Sequence, residues 1–196
     1  MKKFFARLFG NQPTADWLVV GLGNPGQRYA GTRHNVGYMG IDKLCDAPLK
    51  PLRGINVTGA NLTIAGQNVL LVRAGTYMNN SGEPVAALAH KTGVPAEKII
   101  VLHDELDLPA HKVRCKKGGN ENGHNGLKSL TQYLGTRDYL RVRIGIGRPA
   151  KGTPIPDYVL SNVDEGVEPA IDTAAEAVRL IVEKGLAAAQ NQIHTK

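Results

Sequence analysis

The sequence predicts a single α/β domain: a mixed, mostly parallel twisted sheet flanked by helices, with its chemistry on loops at the sheet's carboxyl edge. Short continuous apolar runs such as Lys98-Ile99-Ile100-Val101-Leu102 have the signature of strands buried on both faces. Segments of helical periodicity alternate with these runs along the chain, the pattern of an α/β protein. A hairpin-like stretch over residues 54–73 adds antiparallel pairing, which makes the sheet mixed. At 196 residues, with no repeat and no linker, one hydrophobic core suffices.

The elements follow in order. Residues 1–16 read as a basic-apolar tail, and 17–196 as a single folded domain. The opening Met1-Lys2-Lys3-Phe4-Phe5 imitates a signal peptide, but Arg7 interrupts its apolar stretch and Asn11, Gln12 and Pro13 end it early. No later run approaches a membrane span, so a soluble cytoplasmic protein is expected. Trp17-Leu18-Val19-Val20 is the first strand. A helix over 35–44 has Val36, Met39, Ile41 and Leu44 for an apolar face. Alternation in Ile55–Thr58 and Leu62–Ile64, then the run Val69–Val72, makes the hairpin. Ser81 is placed to cap a helix over 83–92, where Pro84 falls early enough to be tolerated. The central strand comes next, then a short strand over 113–116, a Gly/Asn loop and a helix over 126–134. Residues 140–146 alternate as another strand, and the Ala-rich 167–193 carries two helices hinged near Gly185.

A net charge of +7 favours a polyanionic partner, because Lys and Arg gain by releasing counterions condensed on phosphates. Cys45 and Cys115 stand far apart and outside any CxxC pair, which argues against a disulfide scaffold and a cysteine zinc site.

The segment Gly21-Leu22-Gly23-Asn24-Pro25-Gly26 follows a strand but is no dinucleotide fingerprint. Pro25 removes a backbone donor and stiffens a turn that should open a phosphate-binding helix. No P-loop occurs either. The segment reads as a rigid turn that holds Asn24 at the sheet's carboxyl edge. In Thr32-Arg33-His34-Asn35, a lone histidine is more often structural than catalytic. Its candidate partner is in His103-Asp104-Glu105-Leu106-Asp107, which follows the central strand and so emerges at the same edge. A carboxylate bonded to one imidazole nitrogen fixes the tautomer and leaves the other nitrogen to take a proton from water. The same cluster also admits a metal-dependent hydrolase sensitive to chelators, although no HExxH is present. Two loops rich in side-chain amides, Thr76–Gly82 and Gly118–Gly126, suit recognition of an ester, a peptide backbone and a ribose. Arg114 and Lys116 share one strand face, as do Arg141 and Arg143, either as a solvated surface or as a phosphate clamp.

Taken together, G-L-G-N-P-G, T-R-H-N, T-Y-M-N-x-S-G, H-D-E-L-D-L-P, G-H-N-G-L-K and R-I-G-I-G resemble, in order and spacing, the bacterial peptidyl-tRNA hydrolases. The resemblance implies a monomeric esterase, needing neither metal nor cofactor, that splits the bond between a peptide and the 3′-terminal ribose of tRNA. It implies that His34 is the proton acceptor, that Asp104 stabilises its basic form and that Asn24 distinguishes N-blocked from free aminoacyl-tRNA. Tyr29, Tyr77, Asn79 and Asn125 match substrate-contacting positions, and Lys116 and Arg143 match positions that grip the tRNA 5′-phosphate. The sequence departs from the pattern in three places. The loop before His124 carries Glu121 where the family has a run of Gly with an earlier His, placing negative charge near the expected tRNA path. The segment between first helix and hairpin is short and lacks a Lys-Phe pair. Residues 1–16 have no counterpart in compact members. A catalytically silent RNA-binding relative of the same fold is the alternative reading.

Overall fold

The structure, a computed structural model, describes residues 14–196. Residues 1–13 of the expected tail lie outside the described residues. Its last residues are already engaged: the Asp16 backbone N–H donates to the Asn68 carbonyl at 2.7 Å, and the Asp16 Oδ2 accepts from the Asn68 N–H at 2.8 Å.

A seven-stranded sheet forms the middle layer, in the order β2-β3-β4-β1-β5-β7-β6. Its strands are β1 (Trp17–Gly21), β2 (Lys50–Pro51), β3 (Val57–Ile64), β4 (Gln67–Ala74), β5 (Ile99–Glu105), β6 (Val113–Lys117) and β7 (Leu140–Gly145). The inner strands β4, β1, β5 and β7 run parallel, while β3 and β6 run antiparallel to them, so the expected mixed sheet is found. The hairpin β3–β4 turns through Ala65 and Gly66, both with positive φ (47° and 77°). Such a two-residue turn matches the twist of the strands it joins.

The helices are α1 (Val36–Leu44), α2 (Gly82–Thr92), α3 (Asn125–Leu134), the short α4 (Ile155–Val159), α5 (Val167–Lys184) and α6 (Leu186–Ile193). Alternation along the strands divides the core. Val19, Leu71, Ile100, Leu102 and Val142 face α1, α5 and α6, whereas Leu18, Val20, Leu70, Ile99 and Val101 face α2 and α3. Gly185, with φ of 88°, lies between α5 and α6 as the expected hinge.

Some expectations need correction. β5 continues through His103, Asp104 and Glu105, so the acidic segment belongs to the strand's end rather than to a following loop. Ser81 does not cap α2: its hydroxyl donates to the Met78 carbonyl at 2.9 Å, and the Gly82 N–H instead donates to Ser129 Oγ of α3 at 2.9 Å. The cap comes from a neighbouring helix, a partner that local sequence cannot reveal.

One contact decides where the site lies. A Cβ on Gly37, in the first turn of α1, would meet the Leu102 carbonyl at 2.3 Å and the Leu22 amide at 2.6 Å. A Cβ on Gly21, at the end of β1, would in turn meet the Gly37 carbonyl at 2.4 Å. Helix and strand backbones therefore lie directly on one another, and the residues just before α1 are carried over the end of β5.

Gly37→Ala should force α1 off the sheet. Overpacking of this kind typically costs about 1–3 kcal/mol, so the urea midpoint should fall accordingly. Turnover should fall with it, because His34 moves with the helix.

Candidate active site

β5 ends by placing Asp104 on the α1 side of the sheet and His103 and Glu105 on the α3 side, as strand alternation requires. Asp104 is 4% exposed. Its carboxylate meets the Nδ1 of His34 at 2.9 and 3.0 Å, one distance to each oxygen. The same Oδ1 meets the Nε2 of His124 at 2.9 Å. Burial alone would push the Asp104 carboxyl up, but the two histidines outweigh it and hold the group well below the usual carboxylate range. The carboxylate is therefore ionised, and each histidine nitrogen facing it is the donor. His34, with its Nδ1–H committed, keeps the Nε2 lone pair.

His34 sits in the single 3₁₀ turn Arg33–Asn35 that leads into α1. That turn is sewn to the segment after α4: the Arg33 N–H donates to the Ser161 carbonyl at 2.9 Å, and the Val163 N–H to the Gly31 carbonyl at 2.9 Å.

Asn24 is held as the G-L-G-N-P-G segment suggested, though by a partner that the motif did not announce. Asn35, 1% exposed, accepts the Asn24 N–H with its Oδ1 and donates its Nδ2 to the Asn24 carbonyl, both at 2.9 Å. The Asn24 Oδ1 accepts the Met78 N–H at 2.8 Å. That bond fixes which way the amide points, so Asn24 offers its NH₂ outward.

These groups line a cavity of about 520 Å³ shared by Asn24, His34, Asn79, Asp104, His124 and Asn125. Its opposite wall is apolar, made by Ile155, Pro156, Val159 and Leu160 of α4 and its end. The two amide-rich loops and the acidic strand end thus meet at one edge. Tyr29 and Tyr77 lie outside that lining and pack edge to face, with centroids 6.3 Å apart at 84°. Lys116 and Arg143 also lie apart from it, on neighbouring strands β6 and β7. Antiparallel register sets Arg114 opposite Arg143 and Lys116 opposite Arg141, so all four share one sheet face. Burial, and then the neighbouring guanidinium of Arg143, lower the Lys116 ammonium below its ordinary value.

Two expectations change here. Arg141 is 1% exposed and donates to the carbonyls of Asn120 at 2.8 Å and Gly119 at 2.6 Å, so it anchors a loop and is not free for phosphate. Glu121 is not a bare charge on the tRNA path: both its oxygens pair with Arg137, at 2.7 and 3.2 Å. The hydrogen bond from Arg137 holds the Glu121 carboxyl at about 2.

Sequence reasoning does not single out His124, although it stands inside G-H-N-G-L-K. The available signal is a histidine at the N-cap of a predicted helix. Together with His34 and Asp104 it forms a group whose candidate ligand atoms lie within 4.8 Å of one another. The hydrogen bonding disfavours a cation there. The His124 Nδ1 accepts from the amides of Gly126 and Leu127, so its Nε2 carries the proton and has no lone pair to give. The His103–Asp107 run does not converge either: Asp104 and His103 point to opposite faces, and Asp107 pairs with Arg148 at 2.9 Å.

The chain is similar to known proteins along most of its length. The family model described as peptidyl-tRNA hydrolase matches residues 18–196. A protein of Corynebacterium glutamicum named peptidyl-tRNA hydrolase 2 is 61% identical, across 94% of this chain and 90% of that one. A peptidyl-tRNA hydrolase of Pseudarthrobacter chlorophenolicus is 44% identical, across 92% of this chain and 96% of its own. The crystal structure of the Acinetobacter baumannii peptidyl-tRNA hydrolase superposes with a TM-score of 0.85 at 34% identity, covering 93% of this chain and 97% of that one.

The pairing of Glu121 with Arg137 should keep the loop before His124 closed. Its folded carboxyl lies below the ordinary value, so the pair contributes fully above the normal carboxylate range and is lost as pH falls towards 2. Glu121→Gln should therefore speed amide exchange over residues 119–123 at neutral pH, and the difference from the native chain should shrink as the solution is acidified.

Proposed function

The chain belongs to the peptidyl-tRNA hydrolase family and hydrolyses the ester between a peptide and the 3′-terminal ribose of tRNA; from that premise we propose that His34 is its general base. The observation that carries the assignment is the bond from His34 Nδ1–H to the buried Asp104, which leaves the Nε2 lone pair in a cavity ringed by neutral amides. A positioned base of this kind typically contributes about 10²–10⁴-fold.

His34 Nε2 takes a proton from water as the water oxygen bonds to the ester carbon. The carbonyl electron pair moves onto its oxygen, and the amides of Asn79 and Asn125, which line the same cavity, donate to it. When the tetrahedral intermediate collapses, the bond to the ribose 3′-oxygen breaks, and that oxygen takes the proton from His34. The peptide is released as a carboxylic acid, which gives its remaining proton to solvent and becomes a carboxylate. Asn24, held with its NH₂ outward, donates to an acylated amino terminus's carbonyl oxygen, whereas a free ammonium offers only donors and is repelled. This supplies the distinction between N-blocked and free aminoacyl-tRNA.

Tyr29 and Tyr77 offer an aromatic edge for the 3′-terminal nucleotides, since stacking on an exposed ring is sequence-tolerant. Lys116 and Arg143 grip the 5′-phosphate. The Arg143 Nε is buried without a hydrogen-bond partner among the described residues, and an anion would satisfy the group. The enzyme acts as a monomer in the cytoplasm, where ribosomes release its substrate, and uses no metal. No helix among the described residues is long and apolar enough to cross a membrane.

In assays with an N-acetyl-aminoacyl-tRNA, His34→Ala should lose about 10²–10⁴-fold in kcat while still binding substrate. Asp104→Asn should lose less, and a chelator should change neither the native rate nor the ranking. Near-normal kcat in folded His34→Ala would sink the assignment.

Lys116→Ala should mainly raise KM and flatten the salt dependence of binding, leaving kcat close to native. A substrate carrying only the 3′-terminal nucleotides should be indifferent to the change; equal damage to both substrates would rule out the phosphate grip.

A further inference from the structure

We propose that His124 is a positioning residue for the hydrolysis: by donating its Nε2–H to Asp104 it shares that carboxylate with His34 and so governs how tightly His34 holds a proton. The inference rests on His34 being the base.

Helix α3 fixes the proton on His124. As the N-cap of α3, His124 accepts the backbone N–H of Gly126 at 3.1 Å and of Leu127 at 3.3 Å on Nδ1. Only an unprotonated Nδ1 can accept them, so the neutral ring must carry its hydrogen on Nε2, where it faces Asp104. A second proton on Nδ1 would break both caps and sit at the positive end of the helix dipole. His124 is therefore locked as a neutral donor.

The packing around it holds the ring in place. The His124 side chain is 8% exposed, and its ring lies 4.9 Å from that of His34 and 5.2 Å, edge to face, from that of His103. His103 does not compete for the carboxylate, because its own Nδ1–H is spent on the Asp104 carbonyl at 2.8 Å. Burial above all holds His103 neutral, lowering it to about 3. The other charged groups lining the cavity are Glu105 and Glu121, and Glu121 is neutralised by Arg137.

Catalysis gives this sharing a purpose. His34 must accept a proton from water and then surrender it to the leaving ribose oxygen. A carboxylate devoted wholly to His34 would favour the first transfer and trap the proton before the second. Both rings bond to the same Oδ1, so the hydrogen bond from His124 draws off part of the charge that would otherwise hold the imidazolium.

The test uses the full chain and an N-acetyl-aminoacyl-tRNA, with kcat and KM measured across pH for the native enzyme, His124→Asn and His124→Ala. Asparagine is a good N-cap but too short to cap α3 and reach Asp104 together, so His124→Asn separates the two duties. Its melting temperature should stay near native, whereas His124→Ala should lose stability. In both variants the acid limb of kcat should move up by about half to one pH unit, the strength of one hydrogen bond expressed in pH. KM should remain within about twofold, since binding of substrate and loss of a buried proton-tuning contact are separate free energies.

A native profile in His124→Asn overturns the inference. So does a fall in kcat with an unmoved acid limb, which marks structural support alone, and so does a raised KM at native kcat, which marks a substrate contact. His34→Ala in the same assay separates the two levels. If His34→Ala retains turnover, the base assignment fails; if it is inactive while the His124 variants keep the native profile, only the present inference fails.

Discussion

A single buried carboxylate organises this molecule's working edge. Taking an ion from water into a protein interior costs several kcal/mol unless hydrogen bonds replace its hydration. Asp104 obtains them from His34 on one helical layer and from His124 on the other. The residue stands near the end of the inner parallel strand β5, where side chains from both layers reach it. An anion at that point ties the two layers together and fixes the tautomers of both rings.

The rest of the fold can be understood as support for that junction. Gly21 and Gly37 let α1 rest on the strand backbones, which sets the height of His34 above β5. On the other layer, the loop carrying His124 is rich in Gly and Asn and has little apolar surface to hold it. Arg141 beneath it and the pairing of Glu121 with Arg137 supply the anchorage that packing does not. The reciprocal bonds of Asn24 and Asn35 do the same for the turn after β1.

Charge is partitioned across the surface. The cleft around the proposed base presents neutral amides, which can recognise an ester and a peptide without gathering anions indiscriminately. Cationic side chains are collected on the β6–β7 face, where Lys116 and Arg143 stand on adjacent strands. On the proposed reading, a polyanion held there by its backbone presents its end to the cleft, so that affinity and chemistry reside on different groups.

Much of this was legible in the sequence because it is written in local pattern. Apolar runs and alternation depend on neighbours a few residues away, so the order of strands and helices, the mixed sheet and the hinge at Gly185 could be read directly. His34, Asp104 and Asn24 could be placed at one edge because a parallel sheet sends every strand's carboxyl end the same way. What the sequence could not reveal were the partners of groups that meet only on folding. Ser81 looks like a cap, yet Ser129 caps the helix. Glu121 looks like a stray charge, yet Arg137 neutralises it. Arg141 looks like a ligand for phosphate, yet it holds a loop. His124 shows in the sequence only as a residue at the start of a helix, yet it donates to Asp104. Hydrogen bonds and ion pairs act over a few ångströms and depend on direction, so each of these roles was decided by which donor and acceptor the tertiary packing brought into line.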